Sequence, residues 1–185
     1  MKQSGIWDLS EAIWEHVHSL PLAVALKDIL DQKTIVLDIG CGVGFYSEFL
    51  RKRGYTVLSY EGTSGIESIG LSQHILPIDL TKQNEFVFNG QVISLEVGEH
   101  IPEIYEDIYI HNITKVCKGK LILSWGIPGQ GGFGHVNCKP NEYIIEKIEA
   151  KGFKLNIEQS NYLRKHAGNC TWFEKTILVF DKEIK

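Results

Sequence analysis

The sequence holds no apolar run approaching the roughly 20 residues that cross a bilayer. Its opening, MKQSGIWDLSEAIW, has neither the continuous apolar stretch nor the cleavage site of a secretory leader, which points to a cytoplasmic chain away from membranes. Cysteine is scarce and scattered. Cys41, Cys117, Cys138 and Cys170 form no Cys-x-x-Cys pair, so they read as reduced thiols rather than a disulfide framework. Positive charge is not in excess either: 19 Lys and Arg face 23 Asp and Glu, a formal charge of −4. That argues against a sequence-blind nucleic-acid binder, which would want a basic face. Repeats, low-complexity tracts and linkers are missing, so the 185 residues read as one domain over 1–185.

What is present alternates between two periods. After Asp8, with Glu11 three residues on as in a capping box, Leu9, Ile13, Val17 and Leu20 recur at helical spacing. Pro21 is expected to end or kink that helix, with Leu22, Leu26, Ile29 and Leu30 resuming the period beyond it. Short apolar runs at 35–37, 55–60, 74–78, 92–95 and 120–125 read as strands, with helices at 45–50, 102–117 and 144–152 between them. Segments 153–157 and 171–180 read as a closing pair of strands. Continuous apolar strands alternating with helices predict an α/β fold, doubly wound, with a mostly parallel sheet covered on both faces.

The most informative segment is Asp38-Ile39-Gly40-Cys41-Gly42-Val43-Gly44, where a buried strand runs into three glycines and then a helix. Glycine there permits a tight turn and lets a ligand lie against bare backbone. A nicotinamide or flavin dinucleotide wants its third glycine at position 45, which is Phe45. Three acids follow one another at successive strand ends instead. Asp38 suits a ligand ammonium, Glu61 can accept two ribose hydroxyls, and Asp79 is placed for an adenine amino group. That set describes S-adenosylmethionine better than a dinucleotide.

On these residues the chain resembles the class I S-adenosylmethionine-dependent methyltransferases from Ile35 to its last strand. The resemblance implies a seven-stranded sheet of order 3-2-1-4-5-7-6 with the last strand antiparallel. It implies cofactor contacts from Asp38, Gly40, Cys41, Gly42, Gly44, Glu61, Gly62, Asp79, Leu80 and Glu96. It also makes residues 1–31 a helical cover, in which Trp7 and Trp14 are candidates to close the pocket. His16 and His18 read as surface or helix-face residues.

After the fourth strand, Glu96-Val97-Gly98-Glu99-His100 brings two carboxylates and an imidazole to the same edge. This element looks like one in small-molecule O-methyltransferases. It is also similar to that of small-RNA 2′-O-methyltransferases, where such residues and a second histidine bind a divalent metal. The loop 126–140 offers that second histidine, His135. Metal-free base catalysis by Glu99, His100 or His135 is the preferred reading. A divalent metal on Glu96, Glu99, His100 and His135 is the alternative, and a purely structural role is the third. The glycine-rich loop 126–140 reads as a substrate cover, with Gln130 and Asn137 as polar contacts and Trp125 or Phe133 as an apolar wall. Segment 158–170 completes the specificity surface; its Arg164, Lys165 and His166 could meet an anionic group. Trp172 and Phe173 read as core.

Three functions fit. The first is methylation of an oxygen, with nitrogen less favoured, on a small-molecule or sugar-like acceptor. The second is metal-assisted methylation of an RNA terminus, and the third is a non-catalytic module that only binds S-adenosylmethionine.

Overall fold

The computed structural model describes residues 5–72 and 74–183, the Ile13 side chain excepted; the first four residues of the expected cover lie outside it. Seven strands form one sheet: β1 (Val36–Ile39), β2 (Val57–Glu61), β3 (Ile75–Pro77), β4 (Gly90–Ser94), β5 (Cys117–Leu123), β6 (Phe153–Leu155) and β7 (Leu178–Lys182). Their order is β3-β2-β1-β4-β5-β7-β6, as the resemblance implied. The first five strands run parallel, and β7 is antiparallel to both β5 and β6.

Side-chain alternation decides which helices cover which face. Leu37, Ile39, Val92, Leu121, Leu123, Leu178 and Phe180 point to one side. They pack against α4 (Glu106–Val116) and α5 (Asn141–Glu149) through Tyr109, Ile110, Ile113, Ile144 and Ile148. Val36, Val57, Ile93, Ile122 and Val179 point to the other. They meet α2 (Leu20–Ile29), α3 (Phe45–Arg51) and α6 (Ile157–Arg164) through Leu22, Leu26, Phe49, Leu50 and Leu163. Burial on both faces is why the strands are apolar throughout rather than alternating.

Three expectations are corrected. The first helix, α1 (Leu9–Glu15), stops well before Pro21, and Pro21 opens α2 instead of ending a helix. Ser19 caps α2 by accepting from the Leu22 amide at 3.2 Å, and a proline in a first turn gives up only an amide that would have had no helical partner. Segment 171–180 is not one strand: the short helix α7 (Phe173–Thr176), with Phe173 buried at its start, precedes β7. Segment 158–170 is mostly the helix α6, and its Arg164 donates to the Ile177 carbonyl at 2.9 Å rather than facing a ligand.

Candidate active site

The carboxyl ends of the parallel strands share one edge, so the segments leaving β1, β2, β4 and β5 meet there. After β1, Gly40 and Gly42 adopt φ of +79° and +54°. A Cβ on Gly40 would lie 2.4 Å from a Val97 methyl, and one on Gly42 would lie 2.7 Å from the His16 ring. Only glycine satisfies both the dihedral and the space. Gly44 caps α3 with φ of +79° and builds the turn rather than lining the cavity.

Glu61 ties the second strand end to this turn. Its Oε2 accepts from the Gly42 amide at 2.9 Å. Its Oε1 accepts from the Gly62 and Thr63 amides and the Thr63 hydroxyl at 2.8, 2.9 and 3.0 Å. A carboxylate has about four lone-pair sites, so capacity remains chiefly on Oε2. Asp38 is buried, and its Oδ2 accepts from the Ser47 hydroxyl at 2.6 Å. Burial pushes its carboxyl up to about 6, against the Ser47 hydrogen bond and the Arg51 charge, which pull the other way.

Beyond β4, Glu96 is the one described non-glycine residue with positive φ, +53°. Such backbone costs of order 1 kcal/mol or more and persists where the surroundings hold it. Here the Ser124 hydroxyl accepts from the Glu96 amide at 2.7 Å, and Gln130 donates to Glu96 Oε2 at 2.8 Å. Burial raises the Glu96 pKa, opposed by these bonds. Glu99 is fully buried with neither carboxylate oxygen hydrogen-bonded. Desolvation first and the Glu96 charge second push it well above the ordinary carboxylate range.

His100 and His135 stand ring edge to ring face, 5.0 Å apart. The Nδ1 atoms of His100 and His135 lie 3.2 and 3.3 Å from the carbonyls of Gly134 and Gln130. A carbonyl only accepts, so Nδ1 is the donor in each ring, which leaves Nε2 as the acceptor nitrogen of a neutral imidazole. Burial lowers His100 to about 4, with His135 second among the causes. One ligand atom each from Glu99, His100 and His135 lies within 4.8 Å of the others.

These strand ends enclose a cavity of about 380 Å³. It is lined by Asp38, Gly40, Cys41, Gly42, Glu61, Gly62, Leu80, Glu96, His100, Gln130 and His135 of the anticipated site. Others fall outside the lining. Trp125 is buried beneath Gly98 and donates to the Asn137 carbonyl at 2.6 Å, and Asn137 donates to buried Glu106 at 3.0 Å. Asp79 accepts from the Thr81 hydroxyl at 2.6 Å and pairs with Lys82 at 2.9 Å, leaving Ile78 and Leu80 to form the wall. Glu99 lies below the surface of the cavity, against its expected role as a base that touches substrate.

The cover is shorter than 1–31, since α2 belongs to a sheet face. Trp7 stacks on His16 at 4.9 Å and stands edge-on to His100 at 5.0 Å, whereas Trp14 is 83% exposed and closes nothing. Sequence reasoning missed His16, His18 and Trp172 as cavity residues. Ser19-Leu20-Pro21 was the available signal, because a cap and an early proline start a helix and so free the residues before them. The Trp172 Nε1–H is buried without a partner. Among the described residues lining the cavity there is no Lys or Arg, while Glu15, Asp38, Glu61 and Glu96 all contribute.

No protein-family model matches the chain, and no curated protein matches it by sequence. Solved structures do. A TehB-like S-adenosylmethionine-dependent methyltransferase from Corynebacterium glutamicum superposes with a TM-score of 0.65 at 18% identity, covering 94% of this chain and 93% of that one. Magnesium protoporphyrin IX methyltransferase from Synechocystis PCC 6803, with bound S-adenosylmethionine, gives 0.62 at 18% identity over 88% and 76%. The cyclase SpnF gives 0.62 at 19% identity over 90% and 80%. The chain therefore has the seven-stranded Rossmann-like fold on which class I S-adenosylmethionine-dependent methyltransferases are built.

Proposed function

We propose that the chain is an enzyme that transfers a methyl group from S-adenosylmethionine to an oxygen, with nitrogen less favoured, of a small-molecule or sugar-like acceptor. One observation carries the reading: Asp38, the glycine turn and Glu61 open onto the same cavity that ends at Glu96 and two imidazoles. The residues fit the cofactor. Gly40 and Gly42 leave bare backbone, Asp38 suits an ammonium, Glu61 Oε2 retains room for a ribose hydroxyl, and the orphaned Trp172 Nε1–H can meet a carboxylate. Ile78 and Leu80 supply an apolar wall for the base. Bound there, S-adenosylmethionine would supply a methyl group on a sulfonium, an electrophile needing no further activation.

The rest falls to the chain. His100 and His135 hold Nε2 free to accept a proton from an acceptor hydroxyl, and His100 is neutral at physiological pH. Trp7 and the loop 126–140 exclude water and hold the acceptor in line. Among the described residues the cavity has four carboxylates and no Lys or Arg, which disfavours a phosphate-bearing acceptor and sets the small-molecule reading above an RNA terminus.

A second reading rests on Glu99. Its unpartnered carboxylate and one ring nitrogen from each of His100 and His135 form a donor set for a divalent cation, whose chemistry would be to polarise an acceptor hydroxyl. Transfer of labelled methyl from S-adenosylmethionine into a fractionated extract, with and without EDTA, separates the readings. Label in small molecules, insensitive to EDTA, supports the first, and EDTA-sensitive label in RNA supports the second. Cofactor binding with no label in any fraction would leave a binding module or an enzyme whose acceptor the extract lacks, and extracts grown under other conditions separate those two.

A further inference from the structure

We infer that Arg51, through a buried relay of two serine hydroxyls, keeps the Asp38 carboxylate ionised and aimed for a cationic ligand. Arg51 donates from Nη2 to the Ser59 hydroxyl at 2.6 Å. Ser59 donates to the Ser47 hydroxyl at 2.6 Å, and Ser47 donates to Asp38 Oδ2 at 2.6 Å. Both serines are fully buried and Asp38 is 3% exposed.

The direction of this chain is fixed by its ends. A guanidinium has no acceptor, so Ser59 must accept from it and pass its own proton onward, and Ser47 must do the same. Asp38 Oδ2 is thereby held as an acceptor, which is the hydrogen bond that favours a carboxylate over a carboxylic acid. Arg51 itself is clamped by bonds to the Val57 carbonyl at 3.0 Å and the Ser72 hydroxyl at 2.5 Å, so its position is set by β2 and the segment before β3.

The other charged and titratable groups around Asp38 work against ionisation or leave it alone. Glu61, at the end of β2, repels it. The Cys41 thiol is held protonated, chiefly by burial and then by Asp38 itself. The Tyr46 phenol, on α3, is held protonated by burial, with Asp38 and Glu96 at the end of β4 adding to the effect. His16 faces Glu61 across the turn, and burial lowers its pKa. Arg51 is the counter-charge that acts on Asp38, and it acts across the serines.

The inference rests on the S-adenosylmethionine reading for its ligand but not for its test. In the full chain with carbon-13-labelled aspartate, the Asp38 carboxyl resonance should titrate near pH 6, as its burial dictates. Ser59→Ala, which breaks the relay and keeps the charge, should move that midpoint upward by about half a unit, and Arg51→Met by about one unit or more. The affinity for S-adenosylmethionine, followed by calorimetry, should fall below the same midpoint in each protein. An Asp38 midpoint unmoved in Ser59→Ala, with native circular dichroism, would overturn the relay even if Arg51→Met fails to fold. Shifted carboxyl midpoints in proteins that never bind S-adenosylmethionine would instead overturn the cofactor reading and leave the relay standing.

Discussion

A carboxyl group taken out of water with no hydrogen bond ionises only at a cost, and Glu99 is such a group. Its folded pKa lies above the ordinary value of 4.5, so at lower pH both folded and unfolded chains carry the proton. As pH rises the unfolded chain ionises first, and stability falls until the folded group also ionises. Replacing Glu99 with Gln should therefore raise the melting temperature of the ligand-free protein at about pH 7–8 by about 2–6 °C, with the gap closing near about pH 4. Thermal scans across that range decide it, and a variant less stable at every pH would show that an unseen partner already holds the carboxylate. Manganese added to both proteins tests the metal reading in the same scans. A gain confined to the wild type supports that reading, and equal gains remove it. The residue types at 96, 99, 100 and 135 were legible in the sequence. That Glu99 lies beneath the cavity while Glu96 enters it was not, because residue types do not say which way a turn aims each side chain.

At the scale of elements, the 126–140 loop is anchored at its ends rather than free. The Glu99 carbonyl accepts from the Val136 and Asn137 amides at 2.8 and 2.9 Å, and Lys139 donates from its amide to the Gly126 carbonyl at 3.0 Å. Asn137 reaches the buried Glu106 carboxylate, which also accepts from Tyr143 at 2.5 Å, binding the loop to α4 and α5. Asn137→Ala leaves a buried charge one donor short, a loss of about 1–3 kcal/mol, or about 3–10 °C in melting temperature for a chain this long. It should also speed proteolysis between 127 and 134 while leaving S-adenosylmethionine affinity within about twofold. A variant as protease-resistant as the wild type would show that Glu106 does not restrain the loop. The glycine content identified this segment as a loop at the right edge. The roles of Trp125 and Asn137 were misjudged because side-chain chemistry alone does not say which way a loop residue turns. Both turn down into the core, where an indole N–H and an amide each need a partner.

At the scale of the molecule, the alternation of apolar runs and helices carried the architecture, since strands buried on both faces leave few other arrangements. The sheet order and the antiparallel β7 came from resemblance, and no local pattern around Leu178 encodes its direction. Fold likewise does not fix the reaction: SpnF, a cyclase, superposes as well as a methyltransferase does. The discriminating property is which ligand the whole edge recognises. Phe45 stands where a dinucleotide would need a third glycine, and Asp38 is the carboxylate proposed to meet the S-adenosylmethionine ammonium. At about 100 times its Kd, S-adenosylmethionine should stabilise the protein by about 2.7 kcal/mol. That corresponds to a rise of about 5–10 °C in melting temperature. Nicotinamide dinucleotides at the same concentration should leave it unchanged, and Asp38→Ala should lose the S-adenosylmethionine shift while still folding. A dinucleotide shift that exceeds the S-adenosylmethionine shift would reverse the cofactor assignment. An Asp38→Ala protein that keeps its shift would remove Asp38 from the site and leave the glycine turn and Glu61 to bind the ligand alone.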